Sequence, residues 1–141
     1  MKNVVVDSSV IVKWAIPEDF SENAVKLLKD MSLSAVSLYA PTLALSEVTN
    51  ALWKYVVKGF LTRDQAEKAI SLLSSIDVLY VKEDWKLIKD ALFIILNENI
   101  PAYDALYIAL AKKLNAELVT ADEKLYQYAK KIINAVFVSS Y

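Results

Sequence analysis

Asp7, Glu47, Asp104 and Asp122 are the residues able to do chemistry in this 141-residue chain, which contains no histidine and no cysteine. Imidazole and thiolate chemistry are thereby excluded, and carboxylates are left as the groups that can bind a metal. Asp7 ends the apolar run Val4-Val5-Val6, and Asp122 follows Leu118-Val119-Thr120-Ala121. Both read as strand, then acid, then helix start. Glu47 falls at the border of the apolar face of a long helix, and Asp104 in the first turn of a helix that is otherwise apolar almost all round. Each acid alone has a plain reading. Asp7 and Asp122 would cap helices, Glu47 would be solvated, and Asp104 would answer the helix dipole. Together they outline an oxygen-only site, which suits Mg²⁺ or Mn²⁺ and disfavours zinc. Without a cation, their mutual repulsion would raise some of their pKa values. Ser9 and Thr120 place hydroxyls near the two strand ends, and Asn50 lies one turn beyond Glu47.

The elements that must position these acids alternate along the chain. A β-branched run without polar alternation, Val4–Val6, suits a strand buried on both faces of a parallel sheet. A short helix from Ser8 to about Ala15 stops before Pro17. Ser21 caps a second helix with Ala24, Leu27, Leu28 and Met31 inside. Ser34 to Ala40 is a second strand. After Pro41-Thr42 a long helix carries Leu45, Val48, Leu52, Tyr55 and Val56, and Gly59 stops it. Thr62 and Gln65 have capping-box spacing before a helix bearing Ala66, Ala69, Ile70 and Leu73. Val78–Val81 is a third strand. Asp84 caps a helix bearing Leu87, Ile88, Ala91, Leu92 and Ile95, and a buried helix runs from about Ala102 to Leu114. Glu117–Thr120, a helix from Asp122 to Lys130, and Ala135–Val138 complete the chain. Strands separated by helices predict an α/β fold with a parallel sheet and right-handed crossovers. The length favours one domain over residues 1–141.

Apolar residues make up 56% of the chain, above the usual share of about 45–50%. That excess predicts a large buried sheet, a subunit interface, or both; we expect a homodimer. Net charge is −1, so a nucleic-acid partner would need a local basic patch or a metal ion. Candidate cations are Lys13, Arg63 and Lys112, with Lys54, Lys113 and Lys124 behind them. Trp14, Trp53, Trp85, Tyr103 and Tyr107 are candidates for base stacking. No apolar run reaches the roughly 18–20 residues of a membrane-spanning helix. The N-terminus reads poorly as a signal peptide, so the cytoplasm is the expected compartment.

Four segments in order, Val-Val-Val-Asp7-Ser-Ser, Ser46-Glu47-Val-Thr-Asn50-Ala-Leu, Ala-Tyr103-Asp104-Ala-Leu-Tyr-Ile-Ala-Leu-Ala and Leu-Val-Thr120-Ala-Asp122, resemble the PIN-domain ribonucleases. The likeness is greatest to the VapC-type toxins of VapBC toxin–antitoxin pairs. It implies a three-layer fold with a five-stranded parallel sheet in order 3-2-1-4-5 and helices on both faces. It also implies Asp7, Glu47, Asp104 and Asp122 as catalytic metal ligands, supported by Ser9 or Thr120. The implied activity is Mg²⁺- or Mn²⁺-dependent endonucleolytic cleavage of RNA. The implied partner is a VapB-like antitoxin, which would inhibit the chain by laying an amphipathic helix in a groove with a basic residue aimed at the acids. Lys13, Arg63 and Lys112 would then meet RNA. The rival expectation is a catalytically silent scaffold of the same fold that binds RNA or protein without cutting.

Overall fold

The computed structural model describes residues 1–141. Five strands form one parallel sheet: β1 (Lys2–Val6), β2 (Val36–Pro41), β3 (Leu79–Val81), β4 (Glu117–Thr120) and β5 (Ala135–Phe137). Their order is β3-β2-β1-β4-β5, as the resemblance implied. Seven α-helices accompany them: α1 (Ser8–Ile11), α2 (Ser21–Ser32), α3 (Leu43–Val57), α4 (Arg63–Ser74), α5 (Trp85–Glu98), α6 (Ala102–Lys113) and α7 (Glu123–Ala129). The chain order reverses direction across the sheet at β1, which leaves a crevice outside the carboxyl ends of β1 and β4. Val6 pairs with Val119, so the next residues, Asp7 and Thr120, come level at that crevice.

The sheet is held by a cluster of 36 buried apolar residues. Val4, Val5 and Val6 are fully buried, as a central parallel strand requires. Helix α6 is buried from Ala105 through Ala111 because the sheet covers one side and α5 the other. No helix is long and apolar enough to cross a membrane.

Local signals account for most boundaries. The Thr62–Gln65 capping box is present in both directions, and Asp84 accepts from the Leu87 N–H at 2.8 Å. Ser21 departs from expectation. The cap position of α2 is Phe20, in the left-handed region at φ 66°, and Ser21 is the first helical residue. Its hydroxyl accepts instead from the Glu18 N–H at 2.9 Å, closing the turn before the helix. Helix α1 tightens into a 3-10 turn over Val12–Trp14, and β5 ends one residue early, before a second such turn over Val138–Ser140.

Helix α3 takes its cap from another part of the chain. Glu83, just beyond β3, accepts from the Leu43 N–H at 3.0 Å and from the Thr42 hydroxyl. Burial alone would raise the Glu83 pKa, but these hydrogen bonds outweigh it and hold the carboxyl below its ordinary range. A depressed carboxyl contributes stability above its unfolded pKa and loses it as the pH falls through the folded one. We predict that Glu83→Gln costs about 0.5–1 kcal/mol at pH 7, a figure reduced for the partial exposure of the group. The difference between variant and parent should close below about pH 4, as measured by urea unfolding across pH. A cost that is the same at pH 3 and pH 7 would rule out the charge as its source.

Candidate functional site

Asp7 occupies the N-cap position of α1, yet its side chain makes no capping bond to that helix. Both carboxylate oxygens are engaged elsewhere. The Ser9 hydroxyl donates to Oδ1 at 2.6 Å, and the Thr120 hydroxyl donates to Oδ2 at 2.9 Å. Each hydroxyl in turn accepts a backbone N–H from the end of β4, Ala121 onto Ser9 and Asp122 onto Thr120, both at 2.9 Å. The network stitches the carboxyl ends of β1 and β4 together through one carboxylate. Asp7 is 3% exposed. Burial pushes its pKa up to about 7, against the two hydroxyl bonds, and the charges of Asp122 and Glu47 add to the rise.

Asp122 does cap its helix, accepting from the Lys124 and Leu125 N–H groups at 2.9 and 3.2 Å. The plain reading thus holds for Asp122 and fails for Asp7. Asp104 lies in the first turn of α6. Its carboxyl is pushed up to about 6, by burial first and then by the charges of Asp122 and Glu47, with Lys124 opposing. Glu47 reaches the same place from α3. The Tyr107 hydroxyl donates to Glu47 Oε1 at 2.6 Å. Tyr107 is 2% exposed, and burial followed by the Asp7 charge holds its phenol protonated far above the ordinary range. It is therefore a fixed donor that orients Glu47. Sequence reading had offered Tyr107 as a stacking ring. Its spacing three residues after Asp104, on the same helix face, was the signal for this other role.

The structure therefore brings Glu47 and Asp122 within electrostatic reach of both Asp7 and Asp104 at the crevice. As they stand, no three of them are in ligating geometry. The donor set is oxygen-only and hard, and repulsion among the acids is uncompensated apart from Lys124. Both features fit Mg²⁺ or Mn²⁺.

The remaining candidates fall away from the acids. Asn50 is exposed and holds none of them. Lys13 is ion-paired to Glu18 at 3.1 Å with only 9% of its side chain exposed, so it is not free for a phosphate. Glu18 also accepts from the Tyr55 hydroxyl, which ties the segment before α2 to α3. Arg63 opens α4, beyond the far end of α3 from Glu47. Lys112 lies eight residues down α6 from Asp104, about 12 Å by helix rise, toward the opposite sheet edge, where Asn3 donates to the Leu114 carbonyl. Trp14 is core, its indole N–H bonded to the Ala24 carbonyl at 2.8 Å. Trp53, Trp85 and Tyr103 are exposed.

The sequence profile of the PIN domain matches residues 4–131. The chain belongs to the PIN domain family. Ribonuclease VapC3 of Pyrobaculum aerophilum is 35% identical over 123 residues, 86% of this chain and 91% of that protein. Among solved PIN-fold structures, PAE2754 from Pyrobaculum aerophilum has a TM-score of 0.68 at 25% identity, covering 98% of this chain and 92% of that one. A toxin–antitoxin complex from Klebsiella pneumoniae has a TM-score of 0.70 at 14% identity, covering 96% and 97%, and shares the fold.

We predict that Thr120→Val, which keeps the shape and removes the hydroxyl, destabilises the fold by about 1–3 kcal/mol, because it strips a buried carboxylate of one of its donors. Urea unfolding measures this. A loss under about 0.5 kcal/mol would show that the hydroxyl does not hold Asp7.

Proposed function

We propose that this chain is a Mg²⁺- or Mn²⁺-dependent endoribonuclease of the VapC type, the toxin of a toxin–antitoxin pair, with Asp7, Glu47, Asp104 and Asp122 holding the metal. The observation that carries this reading is the convergence of four carboxylates on the β1–β4 crevice, with the innermost buried and held at both oxygens. The relationship to Ribonuclease VapC3 supports the choice of RNA as substrate. When bound, a divalent ion supplies Lewis-acid chemistry to phosphoryl oxygens and lowers the pKa of water.

The chain's own residues divide the remaining work. Ser9 and Thr120 keep Asp7 from rotating, so one ligand position is set before anything binds. Tyr107 does the same for Glu47. Asp104 and Asp122 stand on the open side of the crevice, less buried than Asp7. Four carboxylates repel a polyanion, so RNA can approach only once their charge is countered. Lys124, whose charge reaches Asp104, is the side-chain cation placed to meet a phosphate beside the acids.

The partner in this reading is an antitoxin protein that brings a basic residue to the acids and so competes with the cation. A second copy of the chain is placed on the outer face of α5. There Ile88, Leu92 and Leu96 form an exposed apolar stripe, continuous with a cleft of about 470 Å³ that also takes in Tyr103. An apolar stripe of this kind, without charge to select an opposite partner, suits self-association.

Cleavage of end-labelled RNA tests the activity. Mg²⁺ or Mn²⁺ should support cutting and EDTA abolish it. Asp104→Asn should lower the rate by at least about 100-fold, the scale on which one electrostatic group of a site acts. Cutting retained in that variant would overturn the site assignment. Absence of cutting by the folded, antitoxin-free parent on several RNA classes would leave the non-cutting scaffold. For the dimer, light scattering should give twice the chain mass for the parent and a monomer for Leu92→Asp. A monomeric parent at micromolar concentration would remove the second copy.

A further inference from the structure

Three lysines from two helices of this acidic protein meet in one cleft. The first turn of α5 faces the last turn of α6, and the cleft between them, about 320 Å³, is lined by Lys86, Lys112 and Lys113 together with Asp90, Phe93 and Ile94. Lys86, Lys112 and Lys113 form no salt bridge, whereas Lys2, Lys13 and Lys68 each do. The cleft lining therefore carries three ammonium groups against the one carboxylate of Asp90, with the Asp84 carboxylate also in reach of Lys113 and Lys86. Their field extends beyond the cleft. Asp84 is held below its ordinary range first by the Leu87 N–H, against burial, with smaller help from the charges of Lys113 and Lys86.

The helix dipole explains only part of this. It favours Lys112 and Lys113 at the carboxyl end of α6. It disfavours Lys86, which sits in the first turn of α5, a turn without any acid. Beside the lysines, lining the same cleft, is an aromatic ring that the core does not use, Phe93 at 65% exposure. It lies off the Ile88–Leu92–Leu96 stripe, on which Trp85 falls at helical spacing. Lysines beside an exposed ring are a combination that holds a single-stranded nucleic acid, phosphates on the cations and a base on the ring.

We propose that this cleft is a second RNA-binding surface, remote from the bond that is cut, with Lys86, Lys112 and Lys113 on backbone phosphates and Phe93 against a base. The proposal rests on the ribonuclease reading and names where such a substrate is held. Helix α6 links the two places, with Asp104 at its start and Lys112 about 12 Å further along its axis, a distance that a few nucleotides cover. A polyanion repelled by the acids would thus gain its affinity where the protein is positive and present its chain to the crevice where it is negative.

Binding is measured with a fluorescein-labelled single-stranded RNA in EDTA, so that affinity is read without chemistry, over a series of salt concentrations. The combined variant Lys86→Gln, Lys112→Gln, Lys113→Gln should bind on the order of ten- to a hundred-fold more weakly at low salt. The slope of log affinity against log salt should become shallower by about 2, since each phosphate contact on a single strand contributes about 0.7. Phe93→Ala should weaken binding by roughly five-fold or more at an unchanged slope, the mark of lost stacking rather than lost charge. The control removes the same charge elsewhere, through Lys26→Gln, Lys58→Gln and Lys131→Gln. If the control matches the cleft variant in affinity and slope, the cleft is not a site. If polyglutamate binds the parent as tightly as RNA, the cleft is a general anion trap and the RNA assignment falls. Metal-dependent cutting by the parent together with unchanged binding by the cleft variant would overturn this proposal alone. A parent that neither binds nor cuts RNA would overturn the nuclease reading with it.

Discussion

A carboxylate buried at the end of the central strand is the constraint on which the site depends. Asp7 sits where two parallel strands finish side by side, and its charge has almost no access to water. Such a group costs several kcal/mol unless its oxygens are paired. Ser9 and Thr120 provide that pairing, and both hydroxyls are themselves fixed by backbone N–H groups of the β4 end. The result is a rigid acid in an unfavourable electrostatic environment. A fold that only required a cap at this position would have used the carboxylate on α1, as Asp122 is used on α7.

The other acids are set by packing of whole elements. Helix α6 carries Asp104 and Tyr107 on one side and is clamped between sheet and α5. Its burial leaves Tyr107 no freedom, and Tyr107 in turn orients Glu47 on α3. The position of α3 is pinned at its start by Glu83, which comes from the loop after β3. The site is therefore built from β1, β4, α3, α6 and α7, and its charge balance is poor because all of these but β4, which brings the Thr120 hydroxyl, deliver an acid to the same crevice. The molecule places several of its free cations elsewhere, at the far end of the α5–α6 pair. That separation of sign along one helix pair is how a chain of net charge −1 can keep a negative centre and still offer a polyanion a positive surface.

Much of this was legible in the residues alone. The valine run before Asp7 marked a central strand because only a strand covered on both faces tolerates three apolar residues in succession. The sheet order came from the family resemblance, and the structure has it. Asp7 and Asp122 could be placed on one sheet edge because parallel strands end on the same side. The capping box and Asp84 were readable because their partners lie three residues away. Where reading failed, the partner lay across a non-helical turn or far away in sequence. Lys13 could not be seen to face Glu18 in a closed turn, nor Glu83 to cap a helix forty residues earlier, nor Tyr107 to reach Glu47 rather than a base. Lys112 was a candidate cation for the acids because sequence position does not reveal that α6 carries it to the opposite edge.

What the sequence by itself determined is the set of elements, their parallel alternation and the chemical type of the site, because periodicity, caps and the absence of histidine and cysteine act locally or by elimination. Only the tertiary structure decided which hydroxyls hold Asp7, which phenol orients Glu47, and that Lys86, Lys112 and Lys113 meet at one cleft while Lys13 is neutralised. Those outcomes turn on side chains from separate elements meeting in three dimensions, and on how deeply each is withdrawn from water.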